Sequence, residues 1–207
     1  MPVNVVVDIS HHNNKVDLQA AKQGGIVGVF HKATQGQTYV DPLYAHHQAD
    51  AKAAGLLWGA YHFGDGSDGV KQADYFLKTV GDPTGALLVL DFEANPTGPS
   101  MSVDAAHAFI NHIKEITGIW PGFYCGQYFK ETLGSATDPL IANCWLWLAQ
   151  YGSKAVVPPT WTDWTFWQYT DGANGPAPHD APGIGLCDRD QFNGTQEELA
   201  ALWAKTP

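Results

Sequence analysis

The chain predicts one TIM-barrel-like α/β domain spanning residues 1–207. Three observations carry that expectation. Short apolar runs alternate with helix-patterned stretches through the first half of the sequence. Eight such runs occur, the number that closes a barrel of this kind. No internal repeat, low-complexity tract or linker-like shift in composition divides the chain. Strands that alternate with helices imply parallel pairing through right-handed crossovers.

The candidate strands are 3–9, 26–32, 57–63, 87–93, 122–125, 145–151, 165–169 and 184–188. About five helices are expected. Four lie between the early strands, over 17–23, 43–54, 69–80 and 103–117. The fourth has the clearest pattern. Val103, Ala106, Ile110, Ile113 and Ile116 recur at three- and four-residue steps, and Gly118 stands where a C-terminal cap belongs. The fifth begins at Thr195, with Glu198 three residues on as in a capping box. After the fifth strand the helical patterning fades. Pro158-Pro159 and 172–185 read as loops. The second half is therefore expected to be irregular, with room for antiparallel strands.

Composition limits the function. Hydrophobic residues make up 44% of the chain and charged residues 15%, which suits a folded core rather than disorder. The net charge is −10, and Arg189 is the single arginine. Phosphate-backbone binding needs clustered Lys and Arg, so nucleic acid is not an expected partner. Anionic membranes are disfavoured in the same way. No apolar run is long enough to span a bilayer. Residues 1–20 lack the basic and then apolar pattern of a leader, so no signal peptide is expected in this chain. Cys125, Cys144 and Cys187 lack C-x-x-C spacing. One disulfide plus a thiol, or three buried thiols, both stay open. Nine histidines include the adjacent pairs His11-His12 and His46-His47. Adjacent residues do not share a face, so no metal site is expected, nor any cofactor.

The chemistry is written at strand ends. The run 87–93 closes with Asp91 and Glu93, two residues apart. On a strand Val89, Asp91 and Glu93 share one face, and Leu88, Leu90 and Phe92 the other. Like charges this close raise one another's pKa, as a proton-donating carboxyl requires. Alone, such a pair could equally be a strand running into an acidic turn. Two further acids change the balance. Asp8 closes the first candidate strand and Asp188 the last. The active site of a parallel barrel lies at the strands' C-terminal ends. Four carboxylates would then crowd one mouth, an arrangement that costs stability. The eight Trp and eight Tyr suit a ligand with apolar faces, such as a sugar.

Seven segments occur in order: Val6-Val7-Asp8-Ile9-Ser10, His31-Lys32-Ala33-Thr34-Gln35-Gly36, Gly59-Ala60-Tyr61-His62-Phe63, Leu90-Asp91-Phe92-Glu93, Trp147-Leu148-Ala149-Gln150-Tyr151, Trp167-Gln168-Tyr169 and Cys187-Asp188-Arg189-Asp190-Gln191-Phe192. Together they resemble the lysozymes of glycoside hydrolase family 25, the Chalaropsis-type muramidases. The resemblance implies a barrel with eight strands and fewer helices. It implies cleavage of the β-1,4 bond from N-acetylmuramic acid to N-acetylglucosamine in the glycan strands of bacterial peptidoglycan. By position, Glu93 corresponds to the general acid/base and Asp91 to the partner of the substrate's 2-acetamido group. Asp8 and Asp188 correspond to the other two acids. Tyr61, Tyr124, Trp147, Tyr151 and Trp167 would line the saccharide groove. Lys32, Phe63 and Gln168, from the same segments, complete the expected substrate-binding set. The implied protein is a monomer that acts outside the cell on the wall, either as a phage endolysin or as a secreted enzyme.

Two positions depart from the family pattern. Gln35 stands where a glutamate is usual, and Asp190 where asparagine is common. The expected mechanism is substrate-assisted, with an inverting route through Asp8 or Asp188 as the alternative. Two other functions compete. A chitinase-like hydrolase would carry further upstream acids, where this chain has Gly85 to Val89. A non-catalytic glycan-binding barrel would keep the aromatic groove and need no proton donor.

Overall fold

A computed structural model describes residues 1–13 and 15–206. In chain order the elements are β1 (Val3–Ile9), α1 (Leu18–Gln23), β2 (Gly28–Gln35), β3 (Tyr39–Val40), α2 (Tyr44–Ala54), β4 (Leu57–Phe63), α3 (Gly69–Val80), β5 (Ala86–Phe92), α4 (Val103–Thr117), β6 (Gly122–Cys125) and α5 (Gln127–Leu133). They continue with β7 (Trp145–Ala149), β8 (Phe166–Thr170), β9 (Asp180–Ala181), β10 (Gly185–Leu186), β11 (Asp188–Phe192) and α6 (Gln196–Trp203).

Eight strands close the barrel in the order β1-β2-β4-β5-β6-β7-β8-β11. The first seven run parallel. β11 runs against both of its neighbours, β8 and β1. The last strand thus differs from the expected 184–188. Its apolar signal, Ile184 and Leu186, falls in and beside the small β9–β10 hairpin, and Leu186 is 70% exposed. The true strand alternates Asp188, Asp190 and Phe192 toward the barrel interior, so two of its inward residues are acids and its apolar signal is weak. Asp188 begins this strand instead of ending it. Because the strand is reversed, its first residue still lies at the mouth where the parallel strands end.

Side-chain alternation makes two cores. Leu87, Val89, Phe30, Trp147, Phe166 and Phe192 fill the barrel interior. Leu199 and Trp203 of α6 plug the end opposite the mouth, and Trp203 Nε1 donates to the Trp58 carbonyl at 2.7 Å. Leu88, Leu90 and Phe92 point outward, against a layer that includes Phe76, Phe109, Ile110 and Ile113 of the helices. The glycine of Gly59 is required by this packing. A Cβ there would lie 2.1 Å from the Phe30 ring at the barrel centre.

Helix starts follow their caps. Asp17, Asp68 and Ser102 each accept a backbone N–H from the first turn of α1, α3 and α4. The Thr195–Glu198 capping box opens α6 as expected. The sequence pattern missed α5, which has seven residues and buries one large side chain, Phe129. That is too little periodicity to register. The three cysteines are buried and unbridged. His31 and His47 hydrogen-bond each other in the outer core at 2.9 Å, and His62 is held between Thr34 and Gln72. Among the described residues, no three His, Cys, Asp or Glu side chains are grouped as metal ligands.

Candidate active site

Parity along β5 decides which acids enter the barrel. Leu87 and Val89 face inward, so Asp91 follows them, and Glu93 leaves one residue past the strand end on the same side. Cα atoms at this spacing lie roughly 6–7 Å apart. Across the barrel, Asp8 of β1 stands directly opposite Asp188 of β11 in the antiparallel ladder. The four acids converge on a pocket of about 170 Å³, together with Tyr61, Tyr124, Trp147, Tyr151 and Gln168. Asp171 also lines it. This acid is absent from the sequence-based set, although its place just past the 165–169 run marks it as one more carboxylate at a strand end.

Gln168 ties the walls together. Its Oε1 accepts from the hydroxyls of Tyr124 (2.7 Å) and Tyr151 (3.0 Å), and its Nε2 donates to Asp8 Oδ2 at 2.7 Å. Trp147 packs at 4.8 Å, edge-on, against Tyr124, and its Nε1 donates to Asp190 Oδ1 at 2.7 Å. Asp190 is fully buried beneath the pocket, and its Oδ2 has no hydrogen-bond partner. Asp91 is 5% exposed, and its Oδ1 is also buried without a partner. A buried acceptor left unpaired carries a desolvation cost, about 1–3 kcal/mol.

Protonation follows from burial in an acidic setting. Burial raises the Asp91 carboxyl well above the usual range; Glu93 adds to the shift and Lys32 opposes it. Burial also raises Glu93, aided by Asp188 and opposed by Lys32. Asp8 is raised well above its ordinary value by burial, then by the charges of Asp188 and Asp190. Asp188 is pushed up to about 6, mainly by burial. The cluster therefore holds protons into the range where an isolated carboxyl has lost its own. Asp171 differs. Burial opposes its charge, but the N–H groups of Ala173 and Asn174 and the Asn174 amide outweigh it and keep the pKa low.

Three expected substrate-binding residues lie outside this pocket. Lys32 holds its ammonium 4.8 Å from the Phe63 ring centre, and its charge acts on Asp91 and Glu93. Lys32 Nζ also donates to Gln35 Oε1 at 2.7 Å, so one of the two residues that depart from the family pattern touches the cation whose charge acts on Asp91. Trp167 is on the outer face of the barrel, among the outer core residues, with Nε1 bonded to the Gln150 carbonyl. Phe166 and Gln168 take the inward positions of β8, and a strand cannot send successive residues to the same side.

Among known proteins, the family model for glycosyl hydrolases family 25 matches residues 7–177. Lysozyme M1 of Streptomyces globisporus is 31% identical over 95% of this chain and 70% of its own length. The N,O-diacetylmuramidase of Chalaropsis is 27% identical over 79% of this chain and 86% of its own. The family GH25 lysozyme from Aspergillus fumigatus superposes with a TM-score of 0.84 at 33% identity, covering 99% of this chain and all of that one. A bacterial lysozyme from Streptomyces coelicolor gives 0.85 at 30% identity over 97% of each chain. The closed barrel with its acidic mouth is that of a glycosidase. The chain belongs to glycosyl hydrolase family 25, the lysozyme and muramidase family.

Proposed function

We propose that this chain hydrolyses the β-1,4 bond from N-acetylmuramic acid to N-acetylglucosamine in peptidoglycan, with Glu93 as general acid/base. One observation carries the reading. Glu93, its pKa raised by burial, lies beside Asp91, whose buried Oδ1 has no protein donor.

The chemistry follows from that pair. Glu93 gives its proton to the glycosidic oxygen as the bond to the sugar's C1 breaks. The carbonyl oxygen of the substrate's 2-acetamido group forms a bond to C1. Asp91 accepts that group's N–H and so orients it. A water molecule then attacks C1 and gives a proton to Glu93, now a carboxylate, as the bond from C1 to the acetamido oxygen breaks and the amide is restored. Both carboxyls approach from one strand, which disfavours an acid and a nucleophile on opposite sugar faces. Asp8 and Asp188 line the far wall and would serve water in an inverting route. The anomer released first distinguishes the two. Tyr61 and Tyr151, the less buried aromatics of the pocket, offer apolar surfaces to sugar rings.

The substrate places the site of action outside the cell membrane, on the wall, for a released endolysin or a secreted enzyme. Among the described residues, no helix is long and apolar enough to cross a membrane.

Mass spectrometry of purified peptidoglycan after digestion tests the reading. New reducing-end N-acetylmuramic acid is expected. Reducing-end N-acetylglucosamine would move the cut to the other glycosidic bond and overturn it.

A further inference from the structure

Past Glu93 the cleft opens into a second recess of about 620 Å³, walled by Glu93, Lys130, Gln150, Tyr151 and Val156. Glu93 and Tyr151 line both recesses. A glycan bound across Glu93 would therefore pass from one into the other. The inner recess carries Asp8, Asp91, Asp171 and Asp188; the outer one carries Lys130.

This lysine is held in place. Its Nζ donates to Gln150 Oε1 at 2.7 Å. Gln150 is itself fixed. Its Nε2 donates to the Lys154 carbonyl, its Oε1 accepts the Val156 N–H, and its carbonyl accepts Trp167 Nε1. An ammonium has three donors, and Gln150 uses one. Half-burial lowers the Lys130 pKa, the mark of an ammonium partly stripped of water. Beside it, Tyr151 and Val156 are 43% and 57% exposed, apolar surface suited to a sugar face.

We propose that this recess binds the leaving-group side of the glycan, with Lys130 recognising a carboxylate carried by the muramic residue that follows the departing N-acetylglucosamine. The inference rests on the lysozyme reading. Strands built from N-acetylglucosamine alone are neutral. Muramic residues bring a lactyl carboxylate, or an attached peptide with carboxylates of its own. In a chain of net charge −10, an anionic strand meets general repulsion, and a fixed local cation offsets it.

Binding, read apart from turnover, tests the idea. In the Glu93→Gln background, which leaves ligands uncut, dissociation constants are measured with three probes: muramic glycan freed of peptides, the same strands with peptides, and an N-acetylglucosamine hexamer. Adding Lys130→Gln is expected to weaken the muramic probes by about three- to fivefold and the neutral hexamer by less than about twofold. Lys130→Arg should restore affinity. A loss confined to peptide-bearing strands assigns the carboxylate to the peptide; a loss on both muramic probes assigns it to the lactyl group. Equal changes on all three probes, or none, would overturn the proposal. Failure of wild type to release muramic reducing ends would instead remove the lysozyme reading, which these affinities do not measure.

Discussion

Asp8 and Asp188 stand directly opposite one another in the antiparallel β1–β11 ladder. Like charges at such a position destabilise a sheet. The arrangement persists because burial raises both carboxyls, with the charge of Asp188 raising Asp8 further, so the pair holds fewer charges than two free carboxylates would.

The destabilisation due to Asp188 should therefore shrink as pH falls from 7 toward 5. The folded pKa of Asp188 is about 6, above the unfolded carboxylate value. Between the two, the folded state binds more protons than the unfolded one, so stability falls as pH rises through that window. Asp188→Asn removes the penalty and should raise Tm at pH 7 more than at pH 4. Each kcal/mol regained is worth roughly 2–4 °C in a chain of this size. Thermal unfolding at both pH values measures it; an equal shift at the two would contradict the pairing.

Gln35→Glu should move the alkaline limb of the pH–activity profile upward. Lys32 lowers the pKa of both Asp91 and Glu93, and Gln35 holds its ammonium. A carboxylate at 35 would neutralise part of that field. Glu93 would then keep its proton to higher pH. A profile of kcat/KM against pH reads the limb; a downward shift would refute the assignment of Lys32 as the opposing charge.

Gln168→Leu should lower both stability and turnover. The side chain satisfies Tyr124, Tyr151 and Asp8 at once. Leucine would leave the buried Tyr124 hydroxyl and Asp8 carboxyl without this partner, at about 1–3 kcal/mol. Denaturant unfolding measures the loss, and steady-state kinetics should show a fall in kcat in the surviving folded fraction. Wild-type stability and kcat together would mean the network is incidental.

How far the sequence spoke depends on parity. The Leu87–Phe92 run declares its own faces, so its alternation alone places Asp91 and Glu93 on one side. Asp188 reached the right mouth through a strand drawn in the wrong place, because two inward acids hide β11's apolar rhythm. The family resemblance puts Trp167 in the groove. The identity of the inward neighbour, Gln168, decides otherwise, and only the bond to Asp8 reveals it. Lys130 and Gln150 come from α5 and from the segment after β7, and no spacing in the chain announces that they meet.

The central claim is that Glu93 delivers the proton. Glutamine at 93 keeps the shape and cannot donate as an acid. Digestion of purified peptidoglycan by wild type and Glu93→Gln, at matched folded concentration, compares the two directly. Turnover of the variant is expected to fall by about 10²–10⁴-fold while the protein still binds the wall. Release of muramic reducing ends by Glu93→Gln at near wild-type rate would contradict the account.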